Sequence, residues 1–188
     1  MAEFFDALTD DHRAFIAKQP LFFVATAAAD ARINLSPKGM DCFRVLDDHR
    51  VGYLDVDGSG NETNAHLLAD GRITLLFCAF DRAALILRLY GRGAAILPQD
   101  ARWNELVPHF TLLPGTRQIF EIVVDQVQTS CGWGVPFMAF ERERQTLRKA
   151  HALIDDTERL AIYARHSTSI DGLPVRVPTA LPDGPRQR

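Results

Sequence analysis

Along most of the chain, apolar residues fall in short runs or alternate with polar ones, broken every few residues by Gly, Pro, Asn or Asp, as antiparallel strands require. Such runs, rich in Val, Ile, Leu, Phe and Tyr, predict strands near residues 21–28, 31–38, 42–46, 50–56, 72–80, 84–97 and 117–130. Helical spacing interrupts them. Thr9-Asp10-Asp11 ahead of Ala14, Phe15 and Ile16, stopped by Pro20, reads as a short capped helix whose acids suit its N-terminal dipole. Further helices are predicted over Asn61 to Leu68 and over Asp100 to Val107, the latter carrying Trp103 and Leu106. After Pro136, the recurrence of Phe140, Leu147, Ala150 and Ile154 predicts one amphipathic helix, and Asp155-Asp156-Thr157-Glu158 caps another ending near His166. This order is not βαβ alternation. It predicts a mainly β domain with flanking helices, a closed or split antiparallel β-barrel, spanning residues 1–166. Residues 167–188, with Pro174, Pro178, Pro182 and Pro185, read as an extended arm that either wanders in solvent or lies on a neighbouring subunit.

The chain has 188 residues, 47% hydrophobic and 24% charged, enough for one domain with a sizeable core and far from the composition of disorder. Lys and Arg number 21 against 24 Asp and Glu, so no basic excess exists to neutralise nucleic acid phosphates or an anionic membrane. The longest apolar stretch, Leu21 to Ala29, is about half of what a bilayer crossing needs, and the first residues contain acids where a signal peptide wants bases. A cytoplasmic protein is expected. Cys42, Cys78 and Cys131 form no CxxC pair, and the histidines are scattered singly, so neither a disulfide framework nor a metal site is suggested.

Three segments could carry chemistry. In Asp57-Gly58-Ser59-Gly60-Asn61-Glu62-Thr63-Asn64, a glycine turn feeds directly into a helix. Free backbone N–H groups there, with Ser59, Asn61 and Thr63 nearby, can hold a phosphate. The same residues also fit a capping box in which Ser59 and Glu62 satisfy the helix start without any ligand. In Arg32-Ile33-Asn34-Leu35-Ser36-Pro37-Lys38-Gly39, alternation sends Ile33 and Leu35 to one face, read as core, and Asn34, Ser36 and Lys38 to the other, a hydrogen-bonding face beside which a planar ligand could lie. Arg88, Tyr90 and Arg92 share a face of a later strand and could pair with a bound phosphate. In Thr129-Ser130-Cys131-Gly132-Trp133-Gly134-Val135-Pro136, glycines flank an indole that either covers a ligand or partner or plugs the barrel end.

The stretches FVATAAADARINLSPKGMD, SGNETNAHL with the following GRITLLFCAF, LRLYGRG, QTSCGWGVP and the tail STSIDGLP together resemble the pyridoxamine phosphate oxidase-like, FMN-binding split-barrel family, in its small uncharacterised bacterial branch. The likeness runs from about Leu21 to Pro136. It implies a homodimer with FMN at the subunit interface and an oxidoreductase acting on a small molecule. Non-catalytic binding of flavin, deazaflavin or haem is the alternative, with His66 the first haem ligand to consider. By this resemblance Lys38 closes the flavin-contacting strand, Asn34, Leu35 and Ser36 edge the ring, Ser59, Asn61 and Thr63 take the phosphate, and Trp133 approaches from the other subunit. Lys38 and Asp55 would lie near enough to serve as a base, though no catalytic residue is assigned. The chain departs from the parent oxidases at Ile33, where they have arginine, and at Gly60-Asn61, where they have an Arg-Lys pair, leaving Arg88 or another base to compensate. Residues 167–188 contain neither the Trp-containing segment nor the Arg-Leu-His motif with which those oxidases grip their vitamin substrate, so vitamin B6 oxidation is not implied.

Overall fold

Eight strands form a single antiparallel sheet in the computed structural model, which describes residues 2–182. They are β1 (Glu3–Phe5), β2 (Phe22–Thr26), β3 (Asn34–Lys38), β4 (Phe43–Val45), β5 (Arg50–Val56), β6 (Arg72–Cys78), β7 (Leu85–Ile96) and β8 (Thr116–Cys131). Their spatial order is β3-β2-β6-β7-β8-β5-β4, with β1 paired to β8 beyond the end of β5. The end strands β3 and β4 share no ladder, yet the sheet curls until its two ends meet across the core. Phe22 of β2 stacks on Phe77 of β6 and lies edge-on to Phe43 of β4 and Tyr53 of β5, with centroids 5.1 and 5.5 Å away. Val24, Leu75, Leu87, Leu89, Ile119, Ile122 and Val127 are fully buried between the curled walls. This is the split antiparallel barrel that the strand spacing predicts. β1 escapes the prediction because three residues are too few to show a period.

Helices α1 (Asp10–Ile16), α2 (Glu62–Ala69), α3 (Trp103–Leu106), α4 (Thr146–Ala152) and α5 (Asp156–Arg165) flank the sheet. Thr9 caps α1, with His12 completing the reciprocal box, and Asp155 caps α5 by accepting from the Glu158 N–H. The helix predicted from Phe140 onward is shorter than expected. Phe137, Met138 and Phe140 are exposed, so their segment buries no apolar stripe to hold a helix, and α4 begins only at Thr146.

The α4–α5 pair is fastened to the loops flanking the end of the β5/β8 ladder. The Tyr163 hydroxyl donates to the Gly115 and Thr116 carbonyls at 3.2 and 2.9 Å, and His151 Nε2 lies 2.9 Å from the Asp57 carbonyl. Gly115 has φ +83°, and a Cβ there would meet the His151 ring at 2.5 Å, so glycine is required for this contact. Over its described part, the arm lies along its own chain. The Arg176 N–H donates to Asn64 Oδ1, Asn64 Nδ2 returns a bond to the Arg176 carbonyl, and Arg176 pairs with Asp100 at 2.6 Å. Asp171 forms an ion pair with Arg32 at the start of the β3 segment. Pro185 falls outside the described residues. Among the described residues no helix is long and apolar enough to cross a membrane.

Candidate functional site

The alternation along β3 is as predicted, but its faces are reversed. Register with β2 sets Asn34, Ser36 and Lys38 opposite Thr26, Val24 and Phe22, the inward residues of that strand. Ile33 and Leu35 point outward and are 79% and 67% exposed. As an edge strand at the split, β3 turns its inner face toward the polar loop after β5, where hydrogen-bonding groups find partners.

Between them lies a cavity of about 250 Å³, lined by Asn34, Ser36 and Lys38 of β3, Asp55 and Val56 of β5, residues 58–63, and Arg117 and Phe120 of β8. Seven of the residues singled out in the sequence converge here: Asn34, Ser36, Lys38, Asp55, Ser59, Asn61 and Thr63. Three do not. Leu35 is on the outer face. Arg88 is too, because Leu87 and Leu89 take the inner positions of β7, and its guanidinium donates to Ser130 Oγ at 3.1 Å. Trp133 is 86% exposed and therefore does not plug the barrel.

The capping box does not form. Asn61, not Ser59, occupies the N-cap of α2, and no side chain caps that helix start. Glu62 turns away from the helix, its Oε1 accepting the Ile170 N–H of the arm at 3.1 Å. Asn61 is 4% exposed; its Oδ1 accepts from Gln118 Nε2 at 2.8 Å, while its Nδ2 is buried with no partner among the described residues. An unpaired buried amide donor is costly, and a ligand acceptor would satisfy it. A Cβ at Gly58 would meet nothing within 4 Å, so the loop leaves room for one. Asn34 bridges to the neighbouring wall, donating to Thr26 Oγ1 and Thr63 Oγ1, each at 3.1 Å.

Two residues that pattern reading missed organise the floor. Between Asp55 and Val56 the ladder shifts register, with Asp55 opposite Gln118 and Val56 opposite Thr116, so Arg117 is an extra, bulged residue. Successive side chains of β8 therefore converge instead of alternating. Arg117 Nε and Nη2 and Gln118 Nε2 all donate to Asp55 Oδ2, at 3.0, 2.8 and 2.8 Å. Arg117 Nη1 donates to Asp57 Oδ1 and to the Gly60 carbonyl, tying the loop to the sheet. Burial pushes the Asp55 carboxyl up, but Arg117 and Lys38 outweigh it, with hydrogen bonds from Arg117 and Gln118, and hold it below its ordinary value. Asp55 is thus a fixed anion, poorly suited to the role of base, and Lys38 Nζ sits 3.4 Å from it. Nearby Cys42 is inert: burial pushes its thiol up to about 12.

His66 is 1% exposed; its Nδ1 lies 3.1 Å from Thr26 Oγ1 and its Nε2 is buried without a partner among the described residues, so neither ring nitrogen is presented at the surface to a haem iron. Among the described residues no three His, Cys, Asp or Glu side chains gather as a metal site would need.

Comparison with known proteins agrees with this architecture. A protein of Aspergillus flavus, the pyridoxamine 5'-phosphate oxidase family protein ustO, is 36% identical over 179 residues, covering 93% of this chain and 72% of that protein. A crystal structure of a candidate pyridoxamine 5'-phosphate oxidase from Lactobacillus delbrueckii superposes with a TM-score of 0.53 at 19% identity, over 65% of this chain and 94% of that one. HupZ of Group A Streptococcus, crystallised as a histidine-to-alanine variant, superposes with a TM-score of 0.50 at 21% identity, over 65% of this chain and 98% of that one. These two structures share the fold. The family model for pyridoxamine 5'-phosphate oxidase matches residues 8–131, which contain every strand from β2 to β8 and the whole cavity lining, and the chain therefore belongs to the pyridoxamine 5'-phosphate oxidase family.

Proposed function

We propose that this protein binds FMN in the cavity between β3 and the loop after β5, and works as a homodimeric oxidoreductase on a small molecule. The observation that carries the reading is the buried, unpaired Asn61 amide in a cavity shared with Lys38, Ser36, Ser59 and Thr63, beside a helix start that no side chain caps. Lys38 would supply the positive charge, Asn61 and Ser59 the neutral donors, and Asn34 would fix the distance between β3 and α2 through its bonds to Thr26 and Thr63. A bound flavin supplies two-electron chemistry at its ring. Asp55 restrains Lys38, and Arg117 keeps Asp55 ionised, so the cationic group is positioned before any ligand arrives. Exposed Ile33, Leu35 and Trp133 support the homodimer: a second copy on the outer face would cover apolar surface that water otherwise contacts.

The test is a visible spectrum of the purified protein followed by FMN titration of the wild type and of Lys38→Ala. Bound flavin is expected, with Lys38→Ala weaker by roughly ten- to a hundredfold, the equivalent of losing one charge-assisted contact of about 1.5–3 kcal/mol. Protein that retains no flavin when supplied with excess FMN, or equal affinity in the variant, would refute the assignment. A bound flavin that neither nicotinamide nucleotides nor small-molecule donors reduce would leave a binding protein in place of the enzyme.

A further inference from the structure

The corner proposed to take the phosphate is not electropositive. Lys38 from β3 and Arg117 from β8 face Asp55 from β5, Asp57 from the following loop and Glu62 at the start of α2. His166, after α5, approaches Asp57 Oδ1 at 3.2 Å. Two fixed cations against three carboxylates suit a doubly ionised phosphate poorly. Arg117 is moreover consumed internally, since its bonds go to Asp55, Asp57 and the Gly60 carbonyl.

Among the described residues, two groups in the lining lack partners, and they are complementary. Asn61 Nδ2 is a buried donor without an acceptor. Glu62 Oε2 is a buried acceptor without a donor, although Oε1 of the same carboxylate is taken by the Ile170 N–H. Asn61 and Glu62 are consecutive and line one cavity. An oxygen that bears a proton satisfies both, by accepting from the amide and donating to the carboxylate; a fully ionised oxygen satisfies the first and is repelled by the second.

We propose that Asn61 and Glu62 form a donor–acceptor pair that recognises an O–H group on the ligand, either a phosphate ester carrying one proton or an alcohol of the attached polyol chain, and disfavours the doubly ionised phosphate. The inference rests on the FMN reading above and adds to it the protonation state that the site selects. The charged wall explains why. With Asp55 held by Arg117 and Lys38, and Asp57 by Arg117 and His166, Glu62 is the acid whose second oxygen remains for the ligand.

Titration of FMN and of riboflavin between pH 5 and pH 8, into wild type, Glu62→Gln and His166→Asn, tests this. A phosphate monoester loses its second proton near pH 6, so at pH 8 about one molecule in a hundred keeps it. If the phosphate is the occupant, wild-type affinity for FMN falls by up to about a hundredfold from pH 5 to pH 8, and calorimetry in buffers of different ionisation enthalpy shows proton uptake on binding. Glu62→Gln, whose carboxamide can donate to an ionised oxygen, flattens that slope and binds FMN more tightly than wild type at pH 8; riboflavin shows no slope in either. If the alcohol is the occupant, FMN and riboflavin bind alike without a pH slope, and Glu62→Gln weakens both. His166, which contacts Asp57, is the control: a slope that disappears in His166→Asn but survives in Glu62→Gln overturns the proposal. So does unchanged affinity for both ligands in Glu62→Gln. Absence of flavin binding in all three proteins would instead overturn the FMN reading.

Discussion

Arg117→Met removes a buried cation while keeping a side chain of comparable length, so the loss is chiefly electrostatic. Arg117 is 4% exposed and donates four hydrogen bonds: two to Asp55 Oδ2, one to Asp57 Oδ1 and one to the Gly60 carbonyl. In the variant Asp55 retains Lys38 at 3.4 Å and Gln118 at 2.8 Å, and Asp57 retains His166 at 3.2 Å. Both carboxylates stay buried with less compensation. Breaking one partner out of a buried ion pair costs about 3–5 kcal/mol, a large part of the roughly 5–15 kcal/mol by which a domain is stable. The expected result at pH 7 is a fall of that size in the free energy of urea unfolding.

The pH dependence separates this cause from simple loss of packing. In the wild type the Asp55 pKa lies below its ordinary 3.8, so its contribution is complete above that value and is lost only as pH falls through the lower folded pKa. Between pH 7 and pH 5 it is constant. In Arg117→Met the largest opponent of desolvation is gone and burial raises the folded pKa above the unfolded one. The variant then gains stability relative to wild type as pH falls and the Asp55 carboxyl protonates. Each unit of raised pKa is equivalent to about 1.4 kcal/mol, so the gap between the two proteins should narrow by about 1 kcal/mol or more from pH 7 to pH 5. A gap under about 1 kcal/mol at pH 7, or one that stays constant or widens in acid, would show that the Arg117 cluster does not hold the loop as argued.

Two further substitutions test other parts of the architecture. Gly115→Ala forces a left-handed backbone on alanine and sets its Cβ against the His151 ring; unfolding experiments should show a loss of about 1–3 kcal/mol or more, and wild-type stability would remove the reason given for that glycine. Leu35→Glu puts a charge on the outer face of β3; if the proposed homodimer uses that face, light scattering should find the wild type dimeric and the variant monomeric at the same concentration, and a variant that is still dimeric would place the subunit contact elsewhere.

Most strands were legible because each is a short apolar run ended by a turn residue, and period-two alternation correctly grouped Asn34, Ser36 and Lys38. Alternation states which residues share a face but not which face is inward, and on β3 the choice was settled by pairing with β2, information no local window contains. The Asp57–Thr63 loop read as either an anion cradle or a capping box for the same reason: the box fails because Ile170, 108 residues away, competes for Glu62. Arg117 was hidden by the bulge. In a regular strand Arg117 and Gln118 would point to opposite faces, and neither their spacing nor their composition signals that both reach Asp55. The consequence reaches the chemistry. The base that stands in the site is not a free phosphate ligand replacing the family's Arg-Lys pair, because Asp55 and Asp57 neutralise it; its work is to fix the loop on which Asn61 and Glu62 stand. Discrimination at this corner therefore comes to rest on two adjacent side chains with one unsatisfied atom each, and on the proton a ligand brings between them.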